Sequence, residues 1–318
     1  MESMEKKEIT VKEIIEIGNR DYNLKLKVKG GKSGLSNRVS STLINRPGLT
    51  LSGYFKDFAY DRIQIFGRGE SGYIKEIFKS KKNEIFTKFF SYKIPCCIFS
   101  YNQNPDKRLC NIADKNSIPL LVCSLPTGEL IESLTHLLLE YLSPYKIFHG
   151  VLIEILGMGV LILGKSGVGK SECALELISK GHRLIADDVV LVKKYEGSIL
   201  SGSGIGPTQH YMEIRGLGII DIKSIFGSGS VRERKIIDMV VMLEEWNPNK
   251  EYDRIGLEKK YYNILGIEVP LLVIPVKSGR NIPVIIETAV KNERLKKMGI
   301  VAPFELEKKL FSQRKRRK

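Results

Sequence analysis

Eight consecutive residues, Gly164-Lys165-Ser166-Gly167-Val168-Gly169-Lys170-Ser171, carry the spacing G-x-x-x-x-G-K-S. Glycines in such a loop let backbone N–H groups curl around phosphate oxygens, and a following helix adds the positive end of its dipole. Lys170 then reaches the β- and γ-phosphates of a nucleotide, and Ser171 offers a hydroxyl to the magnesium ion that bridges them. The chemistry expected is the handling of ATP with Mg2+. A second acidic feature, Asp187-Asp188, ends the apolar run Arg183-Leu184-Ile185-Ala186. Carboxylates there emerge near the loop if the two strands are neighbours, and they suit magnesium binding or general-base work.

Three further segments mix charge with glycine: Met212-Glu213-Ile214-Arg215-Gly216-Leu217-Gly218-Ile219-Ile220-Asp221, Tyr252-Asp253-Arg254-Ile255-Gly256 and Pro275-Val276-Lys277-Ser278-Gly279-Arg280-Asn281. Glycine permits close approach of ligand or backbone. An arginine or lysine in these loops can neutralise phosphate charge or merely decorate a surface.

The phosphate loop needs a strand before it and a helix after it. Val151 to Ile155, the turn Gly157-Met158-Gly159 and Val160 to Leu163 read as two buried strands, the second running into the loop. Glu172 to Lys180 follows as a helix stopped by Gly181. Upstream, Thr127 to Leu142 has apolar residues at helical spacing, with Thr127 as N-cap and Pro144 as terminator. The chain before it alternates short apolar runs with turn signals such as Asn45-Arg46-Pro47-Gly48, the pattern of an α/β module. The fold class expected is therefore α/β in two domains: an N-terminal α/β domain over 1–130, a P-loop catalytic domain over 131–306, and a basic tail over 307–318.

A length of 318 residues accommodates two cores. No run of eighteen uninterrupted apolar residues offers a membrane span, and the N-terminus lacks the apolar block of a secretory signal, so a soluble cytoplasmic protein is expected. Five cysteines without C-x-x-C spacing read as reduced thiols, with Cys96 and Cys97 as small buried hydrophobes. The net charge is +15, five of it in the terminal run Arg314-Lys315-Arg316-Arg317-Lys318. That balance favours polyanionic partners without choosing among them. No nucleic-acid recognition motif accompanies it.

In their order along the chain, these segments resemble the HPr kinase/phosphorylase family. Asn45-Arg46-Pro47-Gly48-Leu49 and Gly53-Tyr54-Phe55 resemble its N-terminal domain. His149-Gly150, the P-loop, Gly181-His182-Arg183 to Asp188, Glu213 to Asp221, Asp253-Arg254 and Gly279-Arg280-Asn281 follow its catalytic domain through to Met298-Gly299-Ile300. The resemblance implies ATP binding by Gly164 to Ser171, Mg2+ at Ser171 and Glu213, and active-site roles for His149, Lys170, Asp188 and Arg254. Asp188 would take the proton of a serine hydroxyl on the phosphocarrier protein HPr, and return one when inorganic phosphate attacks phosphoserine to give pyrophosphate. Met212 to Asp221 would serve both directions, and Pro275 to Arg280 chiefly the reverse. A homohexamer is implied as well.

Two positions depart from the family pattern: Lys165 stands where an acidic residue is expected and Ser278 where proline is more usual. The first adds positive charge near the phosphates, and the second leaves its loop less rigid. A GTP-driven switch is the rival reading. Asp253-Arg254-Ile255-Gly256 fits D-x-x-G but lies far beyond the loop, and Asn249-Lys250-Glu251-Tyr252 lacks the last aspartate of a guanine-reading N-K-x-D motif.

Overall fold

The computed structural model describes residues 8–80, 83–195, 197–252 and 260–300. The chain divides into two compact units, Met1–Pro144 and Tyr145–Lys318.

The first unit runs β1 (Ile9–Thr10), α1 (Val11–Asp21), β2 (Lys27–Gly30), β3 (Arg38–Val39), β4 (Ile44–Asn45), α2 (Gly48–Leu51), β5 (Ile63–Phe66), α3 (Arg68–Lys79), α4 (Glu84–Phe90), β6 (Cys97–Phe99), α5 (Lys107–Lys115), β7 (Leu120–Val122) and α6 (Thr127–Leu142). Five strands form one sheet in the order β2-β7-β6-β5-β4, parallel except for β2 at one edge. Such a sheet is buried on both faces, and successive side chains alternate between them. Ile63, Ile65, Ile98 and Leu121 pack with Val11 and Ile14 of α1 and with Leu130, Leu134, Leu137 and Leu138 of α6. Phe66, Cys97, Phe99, Leu120 and Val122 face the opposite way, onto residues of α3, α4 and α5.

That packing decides where the first unit ends. The first unit extends through Pro144, because the apolar stripe of α6 belongs to its core. Pro144 does close the helix, which stops at Leu142. Its start differs by one residue: Pro126 is the N-cap, and the Thr127 hydroxyl is engaged with Ser100 Oγ at 2.7 Å rather than with the helix. All five cysteines are unpaired, and burial pushes the Cys96 thiol up to about 12.

The second unit runs β8 (Tyr145–Ile155), β9 (Met158–Gly164), α7 (Lys170–Ser179), β10 (Arg183–Ala186), β11 (Val189–Tyr195), β12 (Ile199–Ser203), β13 (Tyr211–Ile214), β14 (Gly218–Asp221), α8 (Ile222–Phe226), β15 (Arg234–Glu245), β16 (Lys260–Ile264), β17 (Ile267–Val276) and α9 (Ile282–Lys297). Its eight-stranded sheet follows the path β10-β8-β11-β12-β15-β17-β16, with β9 bonded to both β8 and β15. β9 is antiparallel to β8 and parallel to β15, so both its edges are satisfied. Its side chains alternate too: Val160 and Ile162 join the core under α7 and α9, while Leu161 and Leu163 join the core on the other face. β13 and β14 form a separate two-stranded hairpin.

No helix among the described residues is long and apolar enough to cross a membrane. Leu134 is fully buried, so Leu134→Ala should destabilise the first unit by about 2–5 kcal/mol in urea denaturation, as large-to-small changes in a packed core do. A loss below about 1 kcal/mol would contradict the packing of α6 described above.

Candidate active site

Strand β9 ends at Gly164, whose φ of +155° and 2.5 Å separation between a built Cβ and the Leu243 carbonyl exclude any larger residue. The chain then turns through Lys165 to Gly169 and enters α7 at Lys170. The first amides of α7 have no partner within the helix and point toward the loop, which makes this end an anion site. Lys170 Nζ arches back over the loop and donates to the carbonyls of Gly164 and Lys165, each at 3.0 Å.

At the second residue of α7, Ser171 Oγ donates to the Asp187 carboxylate at 3.0 and 3.1 Å. The backbone amides of Asp188 and Glu213 also lie near this carboxylate and favour its ionised form. Asp187 therefore ties three elements together: the phosphate-loop helix, the end of β10, and the β13–β14 hairpin. Burial raises its pKa to about 6, working against the hydrogen bonds that favour the ionised form. The expected adjacency of β10 and β9 does not occur, since β8 lies between them. Asp187 still reaches Ser171 because α7 crosses from the end of β9 toward β10.

Asp188 follows in the left-handed conformation, φ +66°, with its side chain exposed. Its carbonyl accepts the Gly150 amide at 3.0 Å. His149 pairs with Val189 at the point where β8 changes partners from β11 to β9 and β10. His149 and Asp188 are thereby brought to one end of the sheet.

Beside the loop lies a cavity of about 890 Å³, lined by His149, Gly164 and Lys165 together with Phe148, Trp246 and Tyr262. Its far wall is the end of β15, where Trp246 stacks on Tyr252 with ring centroids 5.0 Å apart. The Pro275–Asn281 loop is held beside this wall by the Trp246 amide, which donates to Val276, and it closes on itself through Arg280 Nη1 and the Pro275 carbonyl. Asn281 caps α9 by accepting the Val284 amide.

The expected magnesium residues fit the ion by donor type. Ser171, Asp187 and Glu213 supply only hard oxygens, as Mg2+ demands, and the ion retains water and phosphate oxygens for its other positions. Glu213 stands next to Asp187 through its own amide. No cluster of three or more His, Cys, Asp or Glu side chains suited to a metal occurs among the described residues. Arg254, with the Asp253 to Gly256 segment, lies outside the described residues, as does the basic tail.

The loop, its helix and the acidic strand end define the second unit as a P-loop phosphate-binding domain of α/β class. Residues 140–310 match the family described as HPr Serine kinase C-terminal domain, and residues 9–138 match HPr Serine kinase N terminus. Curated relatives named HPr kinase/phosphorylase include those of Treponema pallidum (strain Nichols), 48% identical with 90% of this chain and 89% of that one covered, and Leptospira biflexa (strain Patoc 1 / Ames), 46% identical with 95% and 94% covered. A solved Hpr(Ser) kinase/phosphatase from Coxiella burnetii aligns with 48% of this chain and 93% of its own at 38% identity and a TM-score of 0.45. The chain belongs to the HPr kinase/phosphorylase family.

The local pattern of residues does not separate Asp187 from Asp188, and only the family resemblance singles out Asp188 as the base. The alternation of a strand end gives one carboxylate to the helix and one to solvent, and only the turn between β10 and β11 determines which. A pH experiment tests the distinction. The folded-state value of Asp187, about 6, lies above the ordinary 3.8, so folded protein holds this proton more tightly than unfolded chain. The stability it contributes is present in full below about pH 4 and is lost as the pH rises through about 6. In metal-free protein, Asp187→Asn should remove this loss, which amounts to about 3 kcal/mol at most. Parallel stability curves for wild type and variant in urea titrations from pH 4 to 7 would contradict it.

Proposed function

We propose that this enzyme transfers the γ-phosphoryl group of ATP to a serine hydroxyl of HPr, and that it runs the reverse reaction by phosphorolysis. The observation that carries this reading is the split of the acidic pair: Asp187 is engaged with Ser171 on the phosphate-loop helix, while Asp188 is free in solvent at the same end of the sheet.

In the forward direction the Asp188 carboxylate takes the serine proton as the serine oxygen bonds to the γ-phosphorus. The bond from that phosphorus to the β-phosphate bridging oxygen breaks, and ADP leaves. In reverse, an oxygen of inorganic phosphate attacks the phosphoserine phosphorus. The ester bond breaks, the serine oxygen recovers a proton from Asp188, and pyrophosphate leaves. Such transfers ask for positioning and charge stabilisation more than for covalent participation by the enzyme.

Gly164 to Gly169 and the start of α7 would cradle the phosphates, and Lys170 would exchange its loop carbonyls for phosphate oxygens. Ser171 and Glu213, with Asp187, would hold Mg2+, which when bound neutralises phosphate charge. His149, lining the cavity beside Lys165, would support the phosphate on the acceptor side, and Arg254 would add positive charge. Lys165 would strengthen the local field, and Ser278 would loosen the loop assigned to the reverse direction. Family membership further supports a cytoplasmic homohexamer.

The test is transfer of labelled γ-phosphate from ATP to purified HPr. Wild type should label HPr on serine, and Asp188→Ala should lower kcat by at least about 10²-fold, the usual contribution of a positioned general base. Absence of transfer by wild type would sink the kinase reading. Full activity in Asp188→Ala would sink the general-base role alone.

A further inference from the structure

The five-stranded sheet of the first unit carries polar groups at both ends, and those at the carboxyl end are bonded to one another. There, where open parallel sheets ordinarily receive ligands, Arg46 forks onto Glu70 through two nitrogens at 3.0 Å, and Ser100 Oγ lies 2.7 Å from the Thr127 hydroxyl. At the amino end lies a cavity of about 340 Å³, near the lower bound of ligand-sized pockets. The reaction described above makes no use of it.

Three stretches of chain wall this cavity: Phe90 to Pro95 before β6, Asn116 to Ile118 before β7, and Asn37 with Arg38 at the start of β3. They are locked together. Asn37 Nδ2 donates to the Pro95 carbonyl at 3.1 Å and to the Ser117 carbonyl at 3.0 Å. A Cβ built on Gly34 would collide with that Ser117 carbonyl, so the chain passes as close to the loop as glycine allows. The ring of Tyr92 is held by Phe55, Phe58 and Tyr60, at centroid distances of 5.9, 5.2 and 5.4 Å. The hollow is therefore preformed, and the buried Phe90, Ile94 and Ile118 give it apolar surface.

No acidic side chain lines the cavity. Arg38 is paired with Glu8, Nη1 to Oε2 at 2.9 Å, so these two charges offset each other. Lys93 is left over: its side chain is exposed, and it enters no hydrogen bond or ion pair among the described residues. One excess positive charge beside apolar surface matches a singly charged head on a hydrocarbon skeleton better than it matches a phosphate dianion.

We infer that this cavity is a binding site for a small organic carboxylate, which places its head group on Lys93 and its carbon skeleton against Phe90, Ile94 and Ile118. The ammonium supplies a charge-assisted hydrogen bond, and the apolar residues supply the remaining contact. The site does not depend on the phosphotransfer reading. An exposed lysine beside a surface hollow is ordinarily a solvated one, and the two cases differ measurably.

Benzoate and its uncharged isostere benzamide are the probes, titrated calorimetrically into the full chain with MgADP present so that the phosphate loop is occupied. Wild type should bind benzoate at least tenfold more tightly than benzamide. Lys93→Glu should cancel that preference, yet melt as wild type does and label HPr at the wild-type rate, because Lys93 is exposed and takes no part in the reaction. Benzoate should also slow hydrogen exchange in residues 90–95 and 116–118 of wild type and not of the variant. The inference is overturned if benzoate fails to bind at millimolar concentration, if the two probes bind equally, if the preference survives Lys93→Glu, or if the slowed amides lie in other segments.

Discussion

The hydrogen bonds from Ser171 to Asp187 are the joint on which this active site depends. They connect the helix that follows the glycine-rich loop to the strand end that supplies both carboxylates, across a sheet in which β9 and β10 are not neighbours. The Glu213 amide lies near the same carboxylate, which brings the β13–β14 hairpin to this joint. The Asp187 carboxylate is half-buried and accepts the Ser171 hydroxyl, and its burial holds its proton affinity high. A divalent ion accepted by Ser171 and Asp187 would therefore act on the helix, the strand end and the hairpin together.

Behind that joint, the sheet supplies rigidity. β9 is fully bonded on both edges and buried on both faces, so the loop that leaves it starts from a fixed point. The parallel register with β15 sets Gly164 opposite Leu243, which positions Glu244, Glu245 and Trp246 alongside the loop as the wall of the cavity. His149 arrives by a different route, at the residue where β8 passes from one partner strand to two others.

Much of this was legible in the residues themselves. The strand, loop and helix around Gly164 to Ser171 follow from glycine spacing and local periodicity, and β10 spans the four residues read as a strand. The alternation of apolar runs and turns in the first 130 residues implied an α/β module, though nothing local encodes the order β2-β7-β6-β5-β4, which long-range pairing decides. The extent of α6 within the first unit was hidden for the same reason: a helix shows its apolar stripe but not which core receives it. From local pattern alone Asp187 and Asp188 could not be told apart, because their separation rests on a single left-handed residue, and only the family resemblance singled out Asp188.

The division of labour between adjacent carboxylates is the central claim, and metal affinity tests it most directly. Mn2+ can replace Mg2+ in an electron paramagnetic resonance titration of the ADP complex, carried out on wild type, Asp187→Asn and Asp188→Asn. Asp187→Asn should weaken the ion at least tenfold while Asp188→Asn binds it within about twofold of wild type, as expected when only one of the two adjacent carboxylates reaches the metal. Equal losses in the two variants, or a loss confined to Asp188→Asn, would contradict it.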